Sequence, residues 1–168
     1  MKRSSNWFVF FAFLGAAGAF VLYTGHVLPG RVASHFASSG HANSFMSRDG
    51  YIAFMLAFVV VLPGVMSGFM TLIFRSTTAS INIPNRGYWL APARRDATVA
   101  FLTRHGMILG AVVSTFLCFV HWLVVKANSV QPPQLANHLM QAGLAGLLVV
   151  LIVWTAWLWA AFRVPGAR

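Results

Sequence analysis

Four apolar stretches free of Asp, Glu, Lys and Arg punctuate the chain: Trp7–Leu28, Tyr51–Phe74, Gly106–Val125 and Asn137–Phe162. Each is long enough to cross a hydrocarbon core, which takes roughly 20 residues at about 1.5 Å apiece. Backbone groups find no water there and must bond within their own segment, so each stretch reads as a helix. The fourth is the longest, which implies tilt or frayed ends. The pattern predicts an all-α integral membrane protein. Its four transmembrane helices form an antiparallel bundle, a single membrane domain over residues 1–168. The connections are residues 29–50, 75–105 and 126–136. The first stretch also has features of a cleaved signal peptide, namely Lys2 and Arg3, the apolar Trp7–Leu14 and the small Ala17-Gly18-Ala19. Its apolar character continues to Leu28, which favours a retained signal-anchor helix.

Composition excludes the main alternatives. Of 168 residues 58% are hydrophobic and only 8% are charged, against about 25% charged in a soluble domain. Neither a water-covered globule nor a disordered chain is built this way. The single Cys excludes an internal disulfide and a multi-cysteine zinc site.

The net charge of +10 would suggest nucleic acid, but its placement does not. Lys2, Arg3, Arg75, Arg86, Arg94, Arg95, Arg104, Arg163 and Arg168 fall on one side of a four-span chain, and Arg31, Arg48 and Lys126 on the other. The positive-inside rule puts both termini and the second connection in the cytoplasm. The charges then meet lipid headgroups, so the expected partner is the bilayer and not nucleic acid. Trp7, Tyr23, Tyr51, Trp122 and Trp159 lie near span ends, as an aromatic belt requires.

Apolar helices associate in lipid through small residues. Gly64 and Gly68 in the second span, and Gly106 and Gly110 in the third, are spaced for that role. Gly15, Gly18, Gly143 and Gly146 add small patches to the first and fourth spans. They read as packing within one bundle, with a homo-oligomer interface as the alternative. Pro63 lacks a backbone donor and predicts a kink in the second span. In the second connection Pro92 suits a first helical position. Ala93–Arg104 is then either an interfacial helix running into the third span or a plain cytoplasmic extension of it. Pro132-Pro133 in the short third connection makes the last two spans a helical hairpin.

The connections carry two recognisable blocks. Leu28-Pro29-Gly30-Arg31-Val32-Ala33-Ser34-His35-Phe36, with Gly40 and then Met46-Ser47-Arg48-Asp49, resembles the signature of the amino-terminal domain of unknown function in SdpI-type bacterial membrane proteins. Asn85-Arg86-Gly87-Tyr88-Trp89-Leu90-Ala91-Pro92 resembles a second block of that family. The resemblance covers roughly residues 7–125. It implies a multi-pass protein of the bacterial cytoplasmic membrane with a binding, regulatory or protective role, the best-known members giving immunity to a secreted toxic peptide. It marks Pro29, His35, Phe36 and Gly40 outside, and Asn85, Tyr88, Trp89, Leu90 and Pro92 inside, as ligand-contacting or loop-structuring residues. A peptide or protein partner is implied with it. The chain departs from longer members in having no second membrane domain of the family type, and in carrying His41-Ala42-Asn43 after the loop glycine.

Five of the six histidines, His26, His35, His41, His121 and His138, fall at the outer face; only His105 is inner. Imidazole binds metals, so His26, His35, His121 and His138 form a candidate copper, zinc or haem site. The bland alternative is hydrogen bonding to the outer loop and headgroups. For His35 the expectation is that it fixes the outer loop, with ligand contact as the alternative. No cofactor is expected on balance, because no pair has tight ligand spacing and Asp49 is the one outer carboxylate. Catalysis is not expected either. Asp49 and Asp96, the only carboxylates, lie on opposite sides of the membrane and cannot pair. No span holds a charge, and Cys118 sits in an apolar run as a core residue. Three readings stand: an SdpI-like binding or protective protein, a metal or haem protein, and a structural subunit of a larger membrane complex.

Overall fold

Four helices are long and apolar enough to cross a membrane. In chain order the elements are α1 (Lys2–Gly25), β1 (Arg31–Phe36), β2 (Ala42–Ser47), α2 (Arg48–Leu56), a π-helical turn over Ala57–Val61, α3 (Leu62–Ser76), a short α4 (Arg86–Trp89), α5 (Pro92–Asn128) and α6 (Asn137–Ala161). The structure, a computed structural model, describes residues 2–76 and 81–163, and side chains from residue 6 onward. Arg168 and the side chains of Lys2 and Arg3, which enter the charge balance, therefore lie outside the described residues. From α2 to α3 the chain runs on as one span, Arg48–Ser76.

α5 is the post on which the others lean: α1, α3 and α6 all pack against it. With 37 residues at about 1.5 Å each it is about 55 Å long, well beyond the roughly 30 Å of a hydrocarbon core. Between the two readings of Ala93–Arg104, the structure has the plain extension and not a separate interfacial helix. Residues 75–105 are thus mostly helix, with an irregular described stretch only around Ile81–Ala91. Pro92 opens α5 in its first turn, where its missing N–H costs nothing. α6 has no buried residue, and its exposed Leu148, Val149, Ile152 and Val153 are suited to lipid.

The all-α expectation needs one correction. Residues 29–50 are not an irregular loop: β1 and β2 pair antiparallel in a hairpin, and Arg48 already belongs to α2. The turn carries a left-handed Gly40, φ 85°, after a reverse turn closed by Gly40 N–H to the Ala37 carbonyl at 2.8 Å. Only glycine adopts this conformation freely. A Cβ there would also lie 2.7 Å from the Leu135 carbonyl oxygen.

The main core lies under the hairpin. Val21 and Leu28 from the first helix and its exit, Val32 from β1, Tyr51, Met55 and Val59 from the second span, and Val124 from α5 form one buried cluster. Tyr51 is therefore a core residue rather than part of an aromatic belt. At the other end Ile81, Val99, Leu102 and Phe162 form a second cluster.

Only part of the expected glycine packing is present. Gly110 lies close to Ser67 and Phe10, where a Cβ would come within 3.0 and 3.2 Å, and Gly64 faces Leu14 at 3.7 Å. A Cβ added at Gly68 or Gly106 would meet nothing within 4 Å, although the Gly106 carbonyl accepts from the Ser67 hydroxyl at 3.4 Å. Of the small patches expected on the first and fourth spans, Gly18 lies close to Val60 and Gly143 to Phe119, while Gly15 and Gly146 would meet nothing within 4 Å; Gly25 against Ile52 is a further close approach.

The irregularity expected at Pro63 takes the form of the π-helical turn just before it. Pro63 brings no N–H to the Val59 carbonyl one turn back. The buried Ser114 hydroxyl of α5 supplies the donor, at 2.8 Å. A neighbouring helix thus satisfies a backbone group that lipid cannot. Ser114→Ala is expected to cost about 1–3 kcal/mol through that orphaned carbonyl. Thermal unfolding in detergent checks this. Pro63→Ala, which restores a backbone donor, should shrink the cost of the Ser114 change.

Candidate functional site: a hairpin platform at one membrane face

The hairpin is fastened to the helices by backbone bonds rather than by apolar contact alone. Asn128, in the last turn of α5, does most of this. Its Oδ1 accepts from Ala33 N–H at 2.8 Å, and its Nδ2 donates to the Ala33 carbonyl at 3.0 Å and to the Val124 carbonyl at 2.9 Å. The side-chain amide pairs with β1 as a neighbouring strand would. At the hairpin tip the Leu135 N–H donates to the Gly40 carbonyl at 2.9 Å, and Asn137 Nδ2 donates to the Ser38 carbonyl at 2.6 Å. The connection before α6 therefore clamps the turn.

This fastening decides which edge is free. Arg48 N–H donates to the Gly30 carbonyl at 3.0 Å, and the paired positions that follow are Arg31 with Ser47, Val32 with Met46 and Ala33 with Phe45. Antiparallel pairs alternate between bonded and non-bonded. Ala33 spends both backbone groups on Asn128, so its pair with Phe45 is a non-bonded one. The backbone groups of Phe45 and the N–H of Ser47 consequently turn to the open side of β2, while the Ser47 carbonyl, at the N-cap of α2, belongs to that helix. Phe45 is 41% exposed, with the Arg31 guanidinium 4.8 Å from its ring centre.

Beneath the hairpin lies a buried polar network. His121, fully buried, has Nε2 at 2.8 Å from Thr24 Oγ1 and Nδ1 at 3.0 Å from the Tyr51 hydroxyl. Thr24 spends its one hydroxyl proton on the Phe20 carbonyl at 2.7 Å. It must therefore accept from His121 Nε2–H, which leaves Nδ1 to accept from Tyr51. The tyrosine ring also stacks on the imidazole, 5.6 Å between centres. This network ties α1, α2 and α5 together with every polar atom used.

Among the described residues no group of three or more His, Cys, Asp or Glu side chains is placed to hold a metal ion. His121 has both ring nitrogens engaged. His35 donates from Nδ1 to Asn43 Oδ1 at 2.6 Å across the hairpin, and His26 bonds through Nδ1 to the Tyr23 carbonyl. His138 is exposed at the start of α6. His35 thus lies in the loop-fixing arrangement. Phe36 packs against the core under the hairpin, and Pro29 is exposed in the entry turn.

The block from Asn85 to Pro92 is also a fastening. Asn85 adopts a left-handed φ of 52°, which Asn tolerates better than most residues. Its Nδ2 and the Trp89 Nε1 donate to the Phe162 carbonyl at 2.9 and 2.8 Å. They cap the carboxyl end of α6, where carbonyls lack helical partners. Thr98 Oγ1 holds the Trp89 carbonyl at 2.8 Å, the Arg94 guanidinium lies 3.9 Å from the Tyr88 ring centre, and Leu90 packs into the second cluster.

The carboxylates Asp49 and Asp96 are 94% and 98% exposed and face only the adjacent Arg48 and Arg95, at 3.8 and 3.7 Å. Such pairs contribute little. Asn128, Asn137, Thr24 and Ser114 are the positions that sequence reasoning missed. Each is a lone polar residue in or beside an apolar helix. No protein-family model, no curated protein and no solved structure matches the chain.

Proposed function

We propose that the chain is a non-enzymatic binding protein of SdpI-like type in the bacterial cytoplasmic membrane. Its four spans form an antiparallel bundle with both termini cytoplasmic, and it protects the cell by capturing an extended peptide at the outer face. The observation that carries this reading is the open edge of β2. Asn128 occupies the edge of β1, while the backbone N–H and carbonyl of Phe45 and the N–H of Ser47 face outward beside an exposed aromatic ring. An exposed strand edge adds an extended peptide as a further strand, with main-chain bonds giving affinity and side-chain contacts giving selectivity. The hydrogen bonds that His26, His35 and His121 make to neighbouring groups support this reading over the metal one. α6, which has no buried residue and an exposed apolar face, favours, as a second reading, a further copy or subunit beside it in the bilayer.

A protection assay tests the main reading. Cells lacking the protein are exposed to conditioned medium that inhibits them, and the chain is supplied back in wild-type and variant form. Phe45→Pro removes an outward donor without breaking a ladder bond. It is expected to abolish protection while the protein still accumulates in the membrane. Phe45→Ala should weaken protection only in part. Full protection by Phe45→Pro would rule out capture at this edge.

A further inference from the structure

The first turns of α5 and the carboxyl end of α6 leave a groove of about 320 Å³ between them. Arg94, Ala97, Thr98 and Phe101 of α5 form one wall, and Ala161 and Phe162 at the end of α6 the other. The α5 residues recur at intervals of three and four, so they share one face of the helix. The groove lies level with the end of the fourth span, whose charge-free run stops at Phe162 and is followed by Arg163. The end of a span is where lipid headgroups lie, with acyl chains beginning just inside.

The walls hold one charge, and it is positive. Arg94 is exposed, and its guanidinium is stacked 3.9 Å from the Tyr88 ring centre. A long contact to the Tyr88 carbonyl, at 3.5 Å, engages one of its five N–H groups. The other side-chain donors in the walls are spent, Thr98 Oγ1 on the Trp89 carbonyl and Trp89 Nε1 on the Phe162 carbonyl. The bonds from Trp89 and Asn85 to that carbonyl also blunt the negative end of α6, which would repel an anion. Asp96 stands two residues from Arg94, and positions two apart do not share a helix face. It faces Arg95 instead. The groove therefore offers a reachable planar donor over apolar walls, and no carboxylate to balance a cationic head.

We propose that this groove binds a net-anionic phospholipid. The phosphate accepts from the Arg94 guanidinium in charge-assisted bonds, and Arg163, exposed at the same end, adds to the positive field. An acyl chain lies along Phe101 and on over Trp157, whose half-exposed ring stacks on Phe101 with centres 6.1 Å apart. A choline head would bring a cation that no wall residue pairs with. This site is separate from the hairpin and stands whatever the β2 edge captures.

Native mass spectrometry of the full chain in detergent micelles tests the proposal with dioleoyl phosphatidylglycerol and dioleoyl phosphatidylcholine. The anionic lipid is expected to bind about tenfold more tightly, the effect of one charge-assisted hydrogen bond. Arg94→Gln should erase that preference while the thermal unfolding midpoint stays the same. Arg104→Gln removes an exposed cation of α5 that does not line the groove and should leave the preference intact. Ala97→Leu fills the groove without changing charge and should weaken binding of the anionic lipid. Equimolar glycerol 3-phosphate, a head without chains, should displace none of it. Five results overturn the proposal: equal binding of the two lipids, a preference that survives Arg94→Gln, an equal loss in Arg104→Gln, unchanged binding in Ala97→Leu, or displacement by glycerol 3-phosphate, which would make this a site for free phosphate.

Discussion

Asn128→Leu is expected to release the hairpin from α5. Leucine keeps the branched shape but cannot pair with a strand. The Ala33 N–H and carbonyl, in a residue with no solvent exposure, would lose both partners. At about 1–3 kcal/mol for each orphaned group the cost is about 3–5 kcal/mol. That is a large share of the stability of a small protein. Hydrogen–deuterium exchange checks it locally. The Ala33 amide, buried and bonded to Asn128, is expected to exchange slowly in the wild-type protein and orders of magnitude faster in the variant, while the centre of α5 stays protected. Asn128→Asp should fall between, because a carboxylate still accepts from Ala33 N–H but cannot donate to its carbonyl. Under the proposed function, protection falls in the same order, since a detached hairpin no longer presents a fixed edge.

His121→Leu is the second large effect. It leaves the Tyr51 hydroxyl, in a residue 3% exposed, without an acceptor, and removes a stacked ring. The expected loss is about 2–4 kcal/mol from the orphaned group and imperfect repacking. Thr24 is affected less, because it keeps its own donation to the Phe20 carbonyl. The test is a double-mutant cycle on unfolding in detergent. Adding Tyr51→Phe removes the stranded hydroxyl and should recover part of the loss. Simple additivity of the two changes would mean that the two side chains are not coupled.

The spans were legible because lipid imposes one simple demand, an uninterrupted apolar run. Their ends were less so. α5 continues through Arg94, Arg95 and Arg104 because a helix emerging from a bilayer gains from charges where a span cannot hold them. The hairpin was not legible. β2 is exposed at most positions and so shows no alternation, and β1 is interrupted by a register shift at Ser34. Its Ser, Gly and Asn look like loop residues until Asn128 supplies the missing strand edge. The block from Asn85 to Pro92 stood out as a motif, but its acceptor, the Phe162 carbonyl, lies 77 and 73 residues beyond Asn85 and Trp89. The histidines shared one end of the spans, and that invited a metal. His26, His35 and His121 instead serve the backbone or a neighbouring side chain within reach. Glycine spacing identified small residues one turn apart. Which of them meets a neighbour depends on helix rotation, which spacing does not encode, so a Cβ at Gly110 meets Phe10 and one at Gly106 meets nothing within 4 Å.

Under the proposed function the hairpin faces outward and offers the β2 edge to the cell exterior. The most direct measurement uses Phe45→Cys and Gly87→Cys, each in a Cys118→Ala background that removes the one native thiol. A membrane-impermeant maleimide is applied to intact cells and then to lysed cells. Phe45→Cys is expected to be labelled in intact cells and Gly87→Cys only after lysis. Labelling of Gly87→Cys from outside, with Phe45→Cys protected until lysis, would contradict it.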